Sequence, residues 1–290
     1  MINLRRQLSH YFYLMRFDKP IGIFLLLWPT LWALWIATHG HPPLKLASVF
    51  IFGVVIMRAA GCVINDFADR NIDKHIRRTQ DRPLTIRVVS LLEAIGLFIF
   101  LCFIAFGLVL LLNRPTLELG ILGILLVVIY PFLKRFTHLP QLWLGVSFAW
   151  SIPMVFVAQQ GNVPAIAWLL FLQAVVWPIA YDTQYAMADR EDDLKVGVKS
   201  TAILFGKYDR IIIALLQIGM LIMLSILGWY LSFNYLFYLG LVAAFGLMIY
   251  QHVLIRGREP KRCLEAFRNN NWVGFFIFLG IFLTYVTCDN

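Results

Sequence analysis

Apolar residues run along this chain in long blocks, with nearly all the charge collected in the short stretches between them. The blocks fall at 20–38, 46–65, 89–112, 116–132, 140–158, 164–185, 210–231, 234–254 and 271–288. At 1.5 Å per residue, about 20 apolar residues cover the ~30 Å hydrocarbon layer of a bilayer, so each block predicts one transmembrane helix. The expectation is an all-α polytopic membrane protein with about nine such helices, since helices satisfy their own backbone hydrogen bonds in lipid. Composition agrees: 60% of the 290 residues are hydrophobic, 14% are charged, and the mean hydropathy is +0.76. A soluble domain carries about 25% charged residues.

The charge sets an orientation. Of the 25 Lys and Arg residues, all but Lys45, Arg114 and Arg58 lie before the first block or in the stretches after even-numbered blocks. Basic loops stay on the cytoplasmic side, which puts the N-terminus in the cytoplasm and the C-terminus outside. The net charge of +9 is thereby read as topology rather than as a nucleic-acid surface, so no nucleic acid is expected as a partner. Met1–Tyr13 carries Arg5 and Arg6 but no short apolar core ending in a small-residue cleavage site, so no cleaved signal peptide is expected. Cys62, Cys102, Cys263 and Cys288 form no CxxC or zinc-type spacing and read as small apolar side chains. His39 and His41 flank a glycine before Pro42 and Pro43, which reads as a turn.

Acidic residues break the pattern twice. Asn65, Asp66, Asp69 and Asp73 close the second block, and helical periodicity puts them on one side of a continuing helix. Asp182, Asp189 and Asp193 close the sixth, with Tyr185 and Asp192 between them. Like charges at i, i+4 cost a few tenths of a kcal/mol each, so such clusters imply a cation or basic partners. Both sit at the cytoplasmic ends of their spans, and the two spans are expected to face each other across a cavity.

Two acidic clusters rimmed by Lys and Arg suit magnesium (Mg2+), a hard cation held by a few carboxylates and by substrate phosphates. The metal-ligand candidates are Asn65, Asp66, Asp69, Asp73, Asp189 and Asp193; spacing favours Asp193 over Asp192. Arg16, Lys19, Lys134 and Arg135 stand at span ends, with Tyr130 beside them, where they can bind a diphosphate. A site opening onto lipid favours a diphosphate with a long apolar tail. The plainer reading is that these carboxylates cap helices and pair with nearby Lys and Arg. A transporter would also carry charge in its spans, but near the midplane on broken helices rather than at one face.

Arg58 stands alone inside a span, two helical turns before Asn65 and about 10 Å deeper. A charge there costs at least ~2.5 kcal/mol unless it is paired. Its expected partner is either Asp182 on a neighbouring helix or the carboxylate of a bound substrate, whose planar oxygens suit a guanidinium fork.

These stretches resemble a known family. Asn65-Asp66-Phe67-Ala68-Asp69-Arg70-Asn71-Ile72-Asp73 resembles the first aspartate motif of the UbiA family of intramembrane aromatic prenyltransferases, and Asp182 through Asp193 resembles its second. The likeness extends over RFDKPIGIFLLLWPTLWAL from Arg16, MRAAGCVIN from Met57, RTQDRPL from Arg78, YPFLKRFTHLPQ from Tyr130, WSIPM from Trp150 and KSTAILFG from Lys199, in the branch acting on 4-hydroxybenzoate. The resemblance implies nine helices around a central cavity open to the cytoplasmic side and to lipid. It implies transfer of a polyprenyl group from polyprenyl diphosphate to the ring carbon ortho to the hydroxyl of 4-hydroxybenzoate, in ubiquinone synthesis, with Mg2+ as cofactor. Asp182, Tyr185 and Arg58 are then the catalytic candidates, with Arg58 also binding the acceptor. The main rivals are sister enzymes with a naphthoate, haem or homogentisate acceptor. The chain reads as one domain, 1–290, in two weakly related halves, roughly 1–135 and 136–254, plus a final helix, in the inner membrane of a bacterial cell.

Overall fold

The structure, a computed structural model, describes residues 4–288, and among these every regular element is a helix. A short amphipathic helix, α1 (Leu4–Leu14), precedes α2 (Ile21–Ala37) and α3 (Leu44–Asp69). Then come α4 (Leu91–Val109), α5 (Arg114–Leu133), α6 (Pro140–Ala149), α7 (Ser151–Gln160) and α8 (Ala165–Val196). The chain finishes with α9 (Thr201–Phe205), α10 (Asp209–Tyr230), α11 (Tyr235–Leu254) and α12 (Pro260–Cys288). Local sequence sets several of the ends. Ser90 and Glu93 form a reciprocal capping box at α4, Asn113 and Asn234 cap α5 and α11, and Gly161 and Gly197 end α7 and α8 in the left-handed conformation that glycine adopts without strain.

Among the described residues, eight helical segments are long and apolar enough to cross a membrane, with α6 and α7 acting as one and α9 joining α10. The first expected span, α2, is apolar throughout but only 17 residues long, about 25 Å, and so falls short of that length. The protein is a multi-pass membrane protein. The expected outward C-terminus involves residues beyond 288, which lie outside the described residues.

Three boundaries differ from the sequence reading, each for a physical reason. Helix α3 stops at Asp69, so Asp73 does not continue the helical face; the single 3-10 turn Asp73–His75 carries it back toward the site. Helix α8 runs 32 residues, about 48 Å, and its last turns stand clear of the hydrocarbon with Asp189 and Asp193 on them. Most of the basic stretch that follows the eighth apolar block is the opening of α12, which starts at Pro260, a residue suited to a first helical turn.

The helices pack around aromatic residues. Trp32 of α2 stacks on Trp177 of α8 with ring centroids 5.4 Å apart, and Tyr181 meets Trp177 edge-on at 5.3 Å. Close helix crossings are made at glycine. A Cβ on Gly145 would lie 2.4 Å from the Val175 carbonyl oxygen, and one on Gly240 would lie 2.6 Å from that of Phe276. Gly107, by contrast, has nothing within 4 Å of a Cβ.

Candidate functional site

A cavity of about 1310 Å³ opens between the ends of α2, α3, α5, α8 and α12. Asn65, Asp66 and Asp69 enter it from the last turn of α3, Asp73 from the turn beyond, and Asp182, Tyr185, Asp189 and Asp193 from α8. The two acidic clusters, more than a hundred residues apart in sequence, thus share one chamber. Asp66, Asp69 and Asp73 are nearly sealed, at 2%, 1% and 3% exposed.

Buried carboxylates require compensation, and four cations supply it. Arg16 Nη2 donates to Asp66 Oδ1 at 2.6 Å. Arg82 Nη1 lies 3.0 Å from the same oxygen and donates to Asp73 Oδ2 at 2.6 Å. Lys134 Nζ donates to Asp69 Oδ2. Arg78 grips Asp189 with two nitrogens, Nε to Oδ1 at 3.0 Å and Nη2 to Oδ2, while its guanidinium lies over the Tyr185 ring, 4.5 Å from the centroid. Burial pushes the Asp73 carboxyl up from its ordinary value, against the pull of Arg82, and the neighbouring charges of Asp66 and Asp69 add to the rise. Burial would lower the pKa of Arg16 and Arg78, yet Asp66 for the one, and Tyr185 with Asp189 for the other, raise both above the usual arginine value.

The remaining candidates divide. Lys19 and Tyr130 line the cavity. Arg135 does not: it donates to the Ala68 carbonyl and so satisfies the end of α3, where a helix leaves acceptors unpaired. Asp193 lines the cavity, whereas Asp192 turns to Lys195 at 3.3 Å and to the Arg77 backbone at 3.4 Å. Arg58 lines the deeper wall but does not pair with Asp182. Its Nη1 donates to Cys62 Sγ at 2.7 Å, and its guanidinium lies so close to α2 that a Cβ on Gly22 would be 2.2 Å from Nε. Among the described residues neither Arg58 nor Asp182 makes an ion pair, and Gln141 bonds the Asp182 carboxylate.

Sequence reasoning missed Arg78 and Arg82, which were assigned to topology because they stand in a run of basic residues. It also missed Gln141, Lys199, Arg268 and Asn271 on the lining. Gln141 carried a signal, an amide at the start of an apolar block; its Oε1 accepts from the Thr201 backbone at 3.1 Å.

The donor set suits magnesium. Asp69 Oδ1 is buried without any hydrogen-bond partner, and the facing groups are hard oxygens. Among the described residues no three His, Cys, Asp or Glu side chains converge tightly enough to hold a metal alone. That is the arrangement expected where phosphate oxygens complete the coordination.

The model of the UbiA prenyltransferase family matches residues 26–280. The chain belongs to that family. It is 69% identical, over 98% of this chain and 99% of the relative, to a 4-hydroxybenzoate octaprenyltransferase of Coxiella burnetii. It is 55% identical, over 98% of this chain and 97% of the relative, to the enzyme of the same name from Methylococcus capsulatus. Among solved structures, a UbiA homologue from Aeropyrum pernix K1 without ligand superposes with a TM-score of 0.80 at 25% identity, over 90% of this chain and 97% of the other. A UbiA homologue from Archaeoglobus fulgidus bound to GPP and Mg2+ superposes with a TM-score of 0.73 at 16% identity, over 94% of this chain and 99% of the other, and so shares the fold. The two aspartate clusters of this UbiA chain therefore occupy a family scaffold.

Proposed function

We propose that this chain is a 4-hydroxybenzoate polyprenyltransferase of the bacterial inner membrane, acting in ubiquinone synthesis. It takes a polyprenyl diphosphate and 4-hydroxybenzoate, joins the first prenyl carbon to the ring carbon ortho to the hydroxyl, and releases diphosphate. The observation that carries this reading is the shared chamber, where two acidic clusters interleaved with Arg16, Arg78, Arg82 and Lys134 open beside apolar helices. The relatives' names supply the acceptor and point to an octaprenyl donor.

Asp66, Asp69 and Asp73 on one side, and Asp189 and Asp193 on the other, would hold Mg2+, with Asn65 beside them. When bound, magnesium supplies charge neutralisation on the leaving diphosphate. The four cationic side chains donate hydrogen bonds to the phosphate oxygens, an interaction that strengthens as negative charge develops there. Tyr130, Tyr181 and Tyr185 line the chamber, where they exclude water from the allylic carbon and favour positive charge on it. Arg58, which has no carboxylate partner among the described residues, receives the carboxylate of 4-hydroxybenzoate in its guanidinium fork. Asp182, which makes no ion pair among the described residues, accepts the ring proton after the carbon–carbon bond forms.

The test is transfer by membranes containing this protein, with magnesium, octaprenyl diphosphate, and each of 4-hydroxybenzoate, a dihydroxynaphthoate, haem and homogentisate in turn. Prenylated 4-hydroxybenzoate is the expected sole product. Prenylation of another acceptor in its place would reassign the enzyme within the family.

A further inference from the structure

Three consecutive amides on α12, Asn269, Asn270 and Asn271, stand about 100° apart around the helix and so face different neighbours. Asn269 Oδ1 accepts from Gln251 Nε2 of α11 at 3.0 Å, and Asn271 Oδ1 accepts from the indole nitrogen of Trp28 on α2 at 3.0 Å. Asn270, fully buried, holds α8 twice: its Oδ1 accepts from Trp177 Nε1 at 3.0 Å, and its Nδ2 donates to Gln184 Oε1 at 2.9 Å. Gln184 Nε2 in turn donates to Gln251 Oε1 at 3.1 Å, and Gln217 of α10 donates to the same oxygen at 2.8 Å. One hydrogen-bonded set of amides therefore joins α8, α10, α11 and α12. Gly274, one turn beyond Asn270, makes room for the tryptophans: a Cβ there would lie 2.4 Å from Trp28 Cδ1 and 2.7 Å from Trp177 Cη2.

At 3.6 residues per turn, Asp182, Asp189 and Asp193 lie about 160°, 140° and 180° around α8 from Gln184, whereas Trp177 lies only about 20° from it. The two residues that Asn270 grips thus form a stripe on the back of α8, and the three carboxylates form its front, on the chamber. Turning α8 about its axis would break the bonds at the back and swing the carboxylates along the chamber wall. Apolar packing resists such a turn weakly in a membrane, where lipid tails are as apolar as leucine, but a buried amide that loses its partner finds no other in hydrocarbon. A single buried amide fixes helix register in coiled coils for the same reason. The outer end of α8 has its own tether, Arg190 to Asp209. Inward of it, the contacts to Asn270 and Gln251 are the polar ties on the back of α8 among the described residues.

We propose that Asn270 and Gln184 are positioning residues, which set the rotation of α8 and thereby aim Asp182, Asp189 and Asp193 at the aspartates of α3. The consequence for turnover rests on the magnesium and diphosphate reading above; the geometry does not. Neither side chain lines the chamber, so each acts only through the helix it holds. Arg58 stands on α3, outside this clamp, so loosening the clamp disturbs the metal side of the site and leaves the hold on the acceptor's carboxylate intact.

The test compares two single variants with their exchange. Gln184→Asn and Asn270→Gln each mismatch the pair, and the double variant restores its combined length with the side chains swapped. Each single variant should need about tenfold more magnesium for half-maximal transfer, with KM for 4-hydroxybenzoate within about twofold of the parent, and the exchange should recover most of the loss. Thr284→Val removes a different buried bond of α12, to Asn234 at 3.0 Å, and should lower Tm without moving the magnesium requirement. A second measurement needs no turnover. Spin labels on Lys74→Cys and Leu194→Cys, both exposed positions, in protein with Cys62, Cys102, Cys263 and Cys288 replaced by alanine, report the distance from the turn after α3 to the end of α8. Adding Asn270→Leu should shift or broaden that distance by about 3 Å or more, the displacement of a side chain when its helix turns by a few tens of degrees. An unchanged distance, an unchanged magnesium requirement in both single variants, or an exchange no better than either would overturn the proposal. A shifted distance in a protein whose unmodified form shows no magnesium-dependent transfer would uphold the clamp and refute the diphosphate reading.

Discussion

Lys134 Nζ bonds one oxygen of Asp69 and leaves the other, Oδ1, buried and without a partner. A buried carboxylate oxygen with nothing to accept from costs on the order of 1–3 kcal/mol, and a bound cation relieves that cost. Asp69→Asn keeps the shape and removes the charge, so transfer should fall at least a hundredfold with the protein still inserted. Asp193→Ala on the opposite wall should do the same. Initial rates in membranes across a magnesium titration check both, and turnover in excess EDTA, or undiminished in either variant, would sink the metal assignment.

Gly22 is predicted to matter through Arg58. Its missing Cβ is what lets the guanidinium lie against α2, where an alanine methyl would sit 2.2 Å from Nε. Gly22→Ala and Arg58→Lys should each raise KM for 4-hydroxybenzoate about tenfold or more, with a much smaller change for the polyprenyl diphosphate. Equal changes in the two KM values would mean that Arg58 only supports the wall.

Arg78 makes a two-point contact with Asp189 and covers the Tyr185 ring, a geometry that a lysine ammonium cannot reproduce. Arg78→Lys should therefore raise KM for the diphosphate donor by about an order of magnitude while expression and insertion remain normal. Steady-state kinetics at saturating acceptor reads the effect directly.

Stability should hinge on Asp209, which is fully buried and held by Arg190 and by Arg258, the latter contributing Nε at 3.0 Å and Nη2 at 2.8 Å. The cluster ties the ends of α8 and α10 to the turn before α12. Asp209→Ala leaves two cations facing a vacated site and should destabilise the detergent-solubilised protein by about 3 kcal/mol, the lower end for breaking a buried pair because Arg258 is partly in water. Thermal unfolding measures it; a Tm within 1–2 °C of the parent would show the cluster to be dispensable.

Orientation is tested by fusions. A reporter that fluoresces only in the cytoplasm should be bright after Lys207 and dark after Gly161, and the opposite pattern would invert the topology read from the basic loops.

The hydropathy blocks and the spacing of Lys and Arg were enough to derive a helical membrane protein, its spans and its acidic clusters, because lipid admits few backbone solutions and a 20-residue apolar run is a local property. The resemblance carried by the two aspartate motifs reached the family. What neighbours each charge is not local. Arg78 and Arg82 looked like topology signals until the turn after α3 folded them onto Asp189, Asp66 and Asp73. Arg135 looked like a phosphate ligand until the end of α3 took it as a cap, and Asp73 left the helical face because α3 stops four residues earlier. The solitary Arg58 was legible, but its freedom from Asp182 was not, because that depends on how α2 packs against α3 at Gly22. Periodicity along one helix determines which residues share a face; only the packing of α2, α3, α5 and α8 around one cavity decides which cation each of those carboxylates meets.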